Sequence, residues 1–198
     1  MRIVKNEKLY ERNRKFGLIL SLIGMLLLVG ATVIAFFYID LLNWSFLLLG
    51  VGFILSQIGL YMGNRWGRTP NPADSLNAAL KGLDDRFTLY HYPPKVGAAH
   101  FLVSPAGLWA FIPKYQKGVM SFDERRNRWK QQGGNLYLKI FGQEGLGRPD
   151  IDIEQEIHTI NKFLQKQTLN IDLPEVHAAL VFTNENAILN ADNSPHPT

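Results

Sequence analysis

The chain has 198 residues, 21 Lys and Arg against 17 Asp and Glu, five His and no Cys. The missing cysteine excludes disulfide scaffolding and thiolate chemistry and agrees with a cytoplasmic site. The net charge of +4 comes largely from the residues before position 16, so basicity alone does not argue for a nucleic-acid partner.

Residues 1–15 form a basic N-terminal segment with Arg2, Lys5, Lys8, Arg12, Arg14 and Lys15. It reads as a cytoplasmic topology signal with anionic headgroups within reach. Two apolar runs follow, 16–39 and 41–62, and only Asp40 interrupts them. Each is long enough to cross ~30 Å of hydrocarbon as a helix. The fifteen Leu, Ile, Val and Phe of the first run favour insertion by about 5–9 kcal/mol before smaller and polar residues are subtracted. Tyr38 and Trp44 mark one rim, and Tyr61 and Trp66 the other. The first run is too long for a cleaved signal peptide, and no small-x-small site follows it. The connection between the runs has no Lys or Arg, whereas Arg65 and Arg68 follow the second. Both termini are therefore expected in the cytoplasm, in an integral membrane protein with two spans. Gly17, Ser21, Gly24, Ala31 and Ala35 share one face of the first helix, and Gly52, Ser56, Gly59 and Gly63 one face of the second. Small residues so spaced let helix backbones approach in lipid. Gln57, with no ionisable partner in either run, reads as interhelical glue and not as a transport path.

Residues 63–72 are polar and marked by Pro and Gly, and read as a linker. Residues 73–189 are long enough for one domain with its own core. Residues 73–83 form a short helix behind Pro72, with Leu76, Leu80 and Leu83 on one side. Strands are expected at 87–92, 99–103, 108–112 and 119–122, the second and third joined by a Ser104-Pro105-Ala106-Gly107 turn. A hairpin at 128–132 and 136–141 follows around Gly133-Gly134-Asn135. Residues 151–169 form the strongest helix, with Ile153, Ile157, Ile160 and Leu164 on its apolar face. Residues 178–182 form a buried strand, and 190–198 a polar tail expected to be disordered. The order gives a mixed α/β domain behind a two-helix transmembrane hairpin.

Lys114, Lys117, Arg125, Arg126, Arg128 and Lys130 cluster within seventeen residues, against Asp123 and Glu124. Tyr115, Phe122 and Trp129 are interleaved. Such a cluster suits a nucleic-acid backbone with base stacking. It equally suits anionic lipid headgroups, and the bland reading is a solvated hairpin edge. Asp84 with Asp85, and Asp123 with Glu124, are adjacent and so point to different faces, which reads as solvated loop carboxylates. His100 reads as a packed or hydrogen-bonded strand residue. His91, His158 and His177 lack metal-ligand spacing, and residues 142–147 lack the Lys and helix start of a phosphate loop.

The run Val103-Ser104-Pro105-Ala106-Gly107-Leu108, residues 114–118, Trp129, Gln155 and Val181-Phe182-Thr183 together resemble the nuclease-related domain called NERD. That resemblance implies a restriction-endonuclease-like PD-(D/E)XK fold, a central mixed sheet with flanking helices. It implies a working motif of a metal-binding Asp before one strand and Glu-x-Lys at the end of the next. Two carboxylates there hold a hard cation beside the scissile phosphate, and the Lys orients water. Here the Asp position falls at Ala99, the Glu position at Ile112, and only Lys114 is kept. A helix Glu of the family falls near Ala73, beside Asp74. Neither Ala nor Ile ligates a cation, so no metal, no cofactor and no nuclease activity are expected, with Lys114 vestigial. The expectation is a membrane-tethered, degenerate nuclease-like module that binds nucleic acid, lipid headgroups or a protein partner. The alternative is a divergent metal-dependent nuclease with relocated carboxylates. The family usually runs on after residue 183, where this chain turns polar.

Overall fold

The computed structural model describes residues 1–133, 145–167, 174–191, 193–195 and 197–198. They divide into two units, a helical hairpin (7–71) and an α/β unit made of residues 1–6 and the described residues from 72 onward.

The hairpin consists of α1 (Glu7–Phe37) and α2 (Leu42–Trp66), both long and apolar enough to cross a membrane. Each exceeds the apolar run that seeds it. At 1.5 Å per residue the 31 residues of α1 extend about 46 Å, so its polar first turns continue the helix beyond any hydrocarbon layer. Tyr10, Gly17, Gly24 and Ala31 are its buried positions, and Ser45, Gly52 and Gly59 those of α2. Both sets step by seven, which keeps one seam facing the partner helix. Backbone approach there is close: a Cβ on Gly24 would lie 2.5 Å from Ser56 N. Ser45 Oγ donates to Ala31 O across the seam at 2.7 Å. Tyr10 and Trp66 meet at 6.4 Å near the open end. Most remaining apolar side chains, among them Leu18, Leu26, Phe46 and Ile54, are exposed. A soluble core helix buries such residues, so this pattern fits a lipid-facing surface.

The α/β unit contains α3 (Pro72–Ala79), α4 (Pro149–Gln167) and eight strands: β1 (Arg2–Lys5), β2 (Thr88–His91), β3 (His100–Ser104), β4 (Gly107–Lys114), β5 (Gly118–Asp123), β6 (Arg128–Gln132), β7 (Val176–Phe182) and β8 (Ala187–Asn190). Five strands form a mixed sheet in the order β1-β2-β3-β4-β7, and three form a second sheet in the order β6-β5-β8. The larger answers the expected mixed sheet, and the smaller is an addition to it. The expected hairpin strand at 136–141 lies outside the described residues.

Strand alternation sorts the core. Ala110, Ile112, Ala178, Leu180 and Phe182 on one face of the larger sheet pack with Ile153 and Ile160 of α4 and with Met120, Phe122 and Trp129 of the smaller sheet. Leu89 and Leu102 on the opposite face pack with Leu76 of α3, flanked by Trp109, Phe111 and Val181. The turn after β3 requires glycine: Gly107 has φ +114° and a Cβ there would meet Glu175 O at 2.8 Å.

Two strands differ from expectation. Residues 2–5, read as a charged flank, form β1 and pair in parallel with β2, Arg2 opposite Thr88 and Lys5 opposite His91. Residues 187–190 form β8, parallel to β5. Beyond it, Pro197 O accepts from Leu180 N at 3.0 Å, so the polar tail meets the edge of β7. The helix from 73 ends at Ala79, since Gly82 with φ +113° follows.

Candidate functional site

β4 carries Lys114 at its end, on the same face as Ala110 and Ile112. In the β3–β4 register Phe101 opposes Ala110, Ala99 lies two residues before Phe101 and just outside β3, and Ala99 and Lys114 both hydrogen-bond to α4, one turn apart. Ala99, Ile112 and Lys114 therefore share one patch beneath α4. The patch holds no acid of its own. α4 supplies two, one turn apart. Asp152 Oδ2 accepts from Lys114 Nζ at 2.5 Å, and Glu156 Oε1 accepts from Ala99 N at 3.1 Å. Lys114 also reaches Leu146 O at 3.5 Å. Its side chain is 12% exposed and that of Asp152 42%, so the lysine is turned inward onto a protein partner. The sequence offered no signal for either acid, since nothing in the spacing of an acidic helix start tells which carboxylates turn toward the sheet. Among the described residues no group of three or more His, Asp or Glu is placed to hold a metal ion.

The remaining basic residues lie on β5, β6 and the tip joining them. Asp123 accepts from Arg125 N at 3.1 Å and Arg126 N at 3.4 Å, closing a one-turn helix at residues 124–126. Asn127 completes the tip with φ +46°, a left-handed conformation that Asn tolerates. Lys130 Nζ pairs with Asp123 Oδ2 at 2.5 Å. Hydrogen bonding from Lys130 holds the Asp123 carboxyl below its usual range. Lys114 and Lys130 are thus each paired with a carboxylate, while Lys130 itself, Arg125, Arg126, Arg128 and Lys117 are exposed.

The expected interleaving of aromatic with basic side chains is not available for stacking. Arg128 and Lys130 project from the outer face of β6, and Trp129 between them points inward. Trp129 is 2% exposed and meets Phe122 and Phe182, each at 5.8 Å between ring centroids. Tyr115 is half-buried after β4. The other adjacent acids serve local structure, with Asp84 binding Arg86 through both guanidinium Nε and Nη2 at 2.8 and 2.6 Å.

A second polar group lies on the α3 side. His91 and His100 face each other across β2 and β3 with Nδ1 atoms 2.7 Å apart, both 1% exposed. Asn77 Oδ1 accepts from His91 Nε2 at 3.0 Å. Assigned from this geometry, His91 carries its proton on Nε2 and accepts from His100 Nδ1–H. Burial, aided by the Lys5 charge and opposed by Asp74, pushes His91 down to about 4. His100 is thus hydrogen-bonded, as its strand position suggested.

No family model, no curated protein and no solved structure matches this chain. Its classification as two apolar helices with a mixed α/β unit stands on the structure alone.

Proposed function

We propose that this chain is an integral membrane protein with two spans and both termini cytoplasmic, carrying a non-catalytic, NERD-like module that binds phosphate-bearing anions. The observation that supports the non-catalytic reading is the Lys114–Asp152 pair above Ala99 and Ile112. A lysine held on an internal carboxylate is withdrawn from a phosphate, and the two neighbouring positions offer no cation ligand. The anion-binding surface is the exposed set Lys117, Arg125, Arg126 and Arg128. The flanking charges support the orientation.

One arrangement favours the alternative, a divergent nuclease: Asp152 and Glu156 of α4 lie over the patch where the family's carboxylates would stand. The full chain in nanodiscs, incubated with labelled duplex DNA and RNA and Mg²⁺ or Mn²⁺, separates the two. We expect no cleavage, and binding that weakens with salt and with charge reversal at Lys117, Arg125 and Arg126. Metal-dependent cleavage that disappears in Asp152→Asn or Glu156→Gln would establish the alternative.

A further inference from the structure

The outer face of the three-stranded sheet joins charge to an exposed apolar residue. In register, Val119 lies between Gln132 on β6 and Ile188 on β8, and Ser121 lies between Lys130 and Asn190. Residues paired across strands share a face, so Ile188, Val119, Ser121, Lys130, Arg128 and Gln132 lie together. Ile188 is 62% exposed, on the free edge strand of that sheet. Arg125, Arg126, Arg128 and Lys130 stand at the tip end against Asp123 and Glu124, and Lys130 neutralises Asp123.

We propose that this face docks on the surface of an anionic bilayer, with Arg125, Arg126 and Arg128 on lipid phosphates and Ile188 in the interfacial layer. Three features favour lipid over nucleic acid. Two of the three interleaved aromatics that base stacking would use, Phe122 and Trp129, are turned into the core. An exposed isoleucine beside cations is the amphipathic combination that interfacial binding uses. The α/β unit is joined covalently to two apolar helices, through Asn6 and through residues 67–71, which holds the face at high effective concentration near a bilayer. The proposal rests on the anion-binding reading and names its ligand.

The chain has no cysteine, so Gln132→Cys gives a unique labelling site on the docking face. The full chain carrying an environment-sensitive fluorophore there is placed in nanodiscs of phosphatidylcholine, with or without phosphatidylserine, and containing spin-labelled lipid. We expect quenching in phosphatidylserine discs that falls as salt is raised. Each basic residue near an anionic surface is worth about fivefold, so Arg125→Glu, Arg126→Glu and Arg128→Glu together lower the docking equilibrium constant by at least ~100-fold. Ile188→Ser, an exposed change that leaves the net charge unaltered, weakens quenching in the same discs. Absent quenching, or equal quenching in both compositions, overturns the proposal. Duplex binding without quenching overturns docking and leaves the anion-binding reading standing, whereas loss of both refutes that reading too.

Discussion

Lys114 shows how one side chain changes meaning with its partner. Read along the strand, it is the remnant of Glu-x-Lys. In the fold it is the cationic half of a partly buried ion pair whose acid comes from a helix 38 residues on. Asp152→Asn leaves the inward-turned ammonium with the Leu146 carbonyl at 3.5 Å and is expected to cost about 1–2 kcal/mol in chemical denaturation. Lys114→Met with Asp152→Leu removes both charges and is expected to recover most of that loss. The histidine pair makes a pH prediction. His91 charges near 6.5 in the unfolded chain and near 4 in the folded one, so between those values the unfolded state binds more protons. Its contribution is complete above about pH 6.5 and is lost as pH falls towards 4, a loss of about 3 kcal/mol. The charged groups facing it are Lys5 on β1 and Asp74 on α3, with opposite effects. Protection factors at the β2 and β3 amides, corrected for the intrinsic pH dependence of exchange, should fall over that range, and His91→Gln should flatten the dependence.

Among the elements, the hairpin was the most legible. Long apolar runs and small residues carry their meaning locally, and the seam at Gly17, Gly24, Gly52 and Gly59 follows from helical spacing. It also discriminates between glycines. A Cβ on Gly59 would lie 2.6 Å from Ser21 Cα, while one on Gly50 meets nothing within 4 Å. Gly59→Ala is therefore expected to cost about 1–3 kcal/mol through forced separation of the helices. Gly50→Ala should be neutral or slightly stabilising. Thermal unfolding of the two variants in one detergent compares them. The α4 face and the β3–β4 turn were equally readable, because Ile153, Ile157, Ile160 and Leu164 repeat at helical period and Gly107 closes a turn that needs positive φ. The short strands β1 and β8 were not. Arg-Ile-Val-Lys and Ala-Ile-Leu-Asn are four residues each, mostly exposed, and acquire their form from partners distant in sequence.

At the scale of the molecule, the content of the site was not legible: the groups that meet Lys114 and Ala99 come from α4, which no strand motif could have announced. The same non-locality makes the α/β unit depend on the N-terminus. Met1 N donates to Leu83 O at 2.7 Å, Arg2 N to Phe87 O at 2.9 Å and Asn6 N to His91 O at 3.1 Å. A fragment of residues 72–198 lacks all three bonds and leaves the β2 edge open. It should expose the Thr88–His91 amides to rapid exchange and aggregate more readily than the full chain. Supplying residues 1–6 through a flexible linker should reverse both effects.

The pairing of β1 with β2 also couples sheet assembly to biogenesis. β1 is synthesised before either apolar helix and β2 after both, so the two strands can meet only if they end on the same side of the bilayer. In the two-span topology proposed above, a chain in which one helix failed to cross would hold the two strands in different compartments, so the β1–β2 ladder would close only after an even number of crossings.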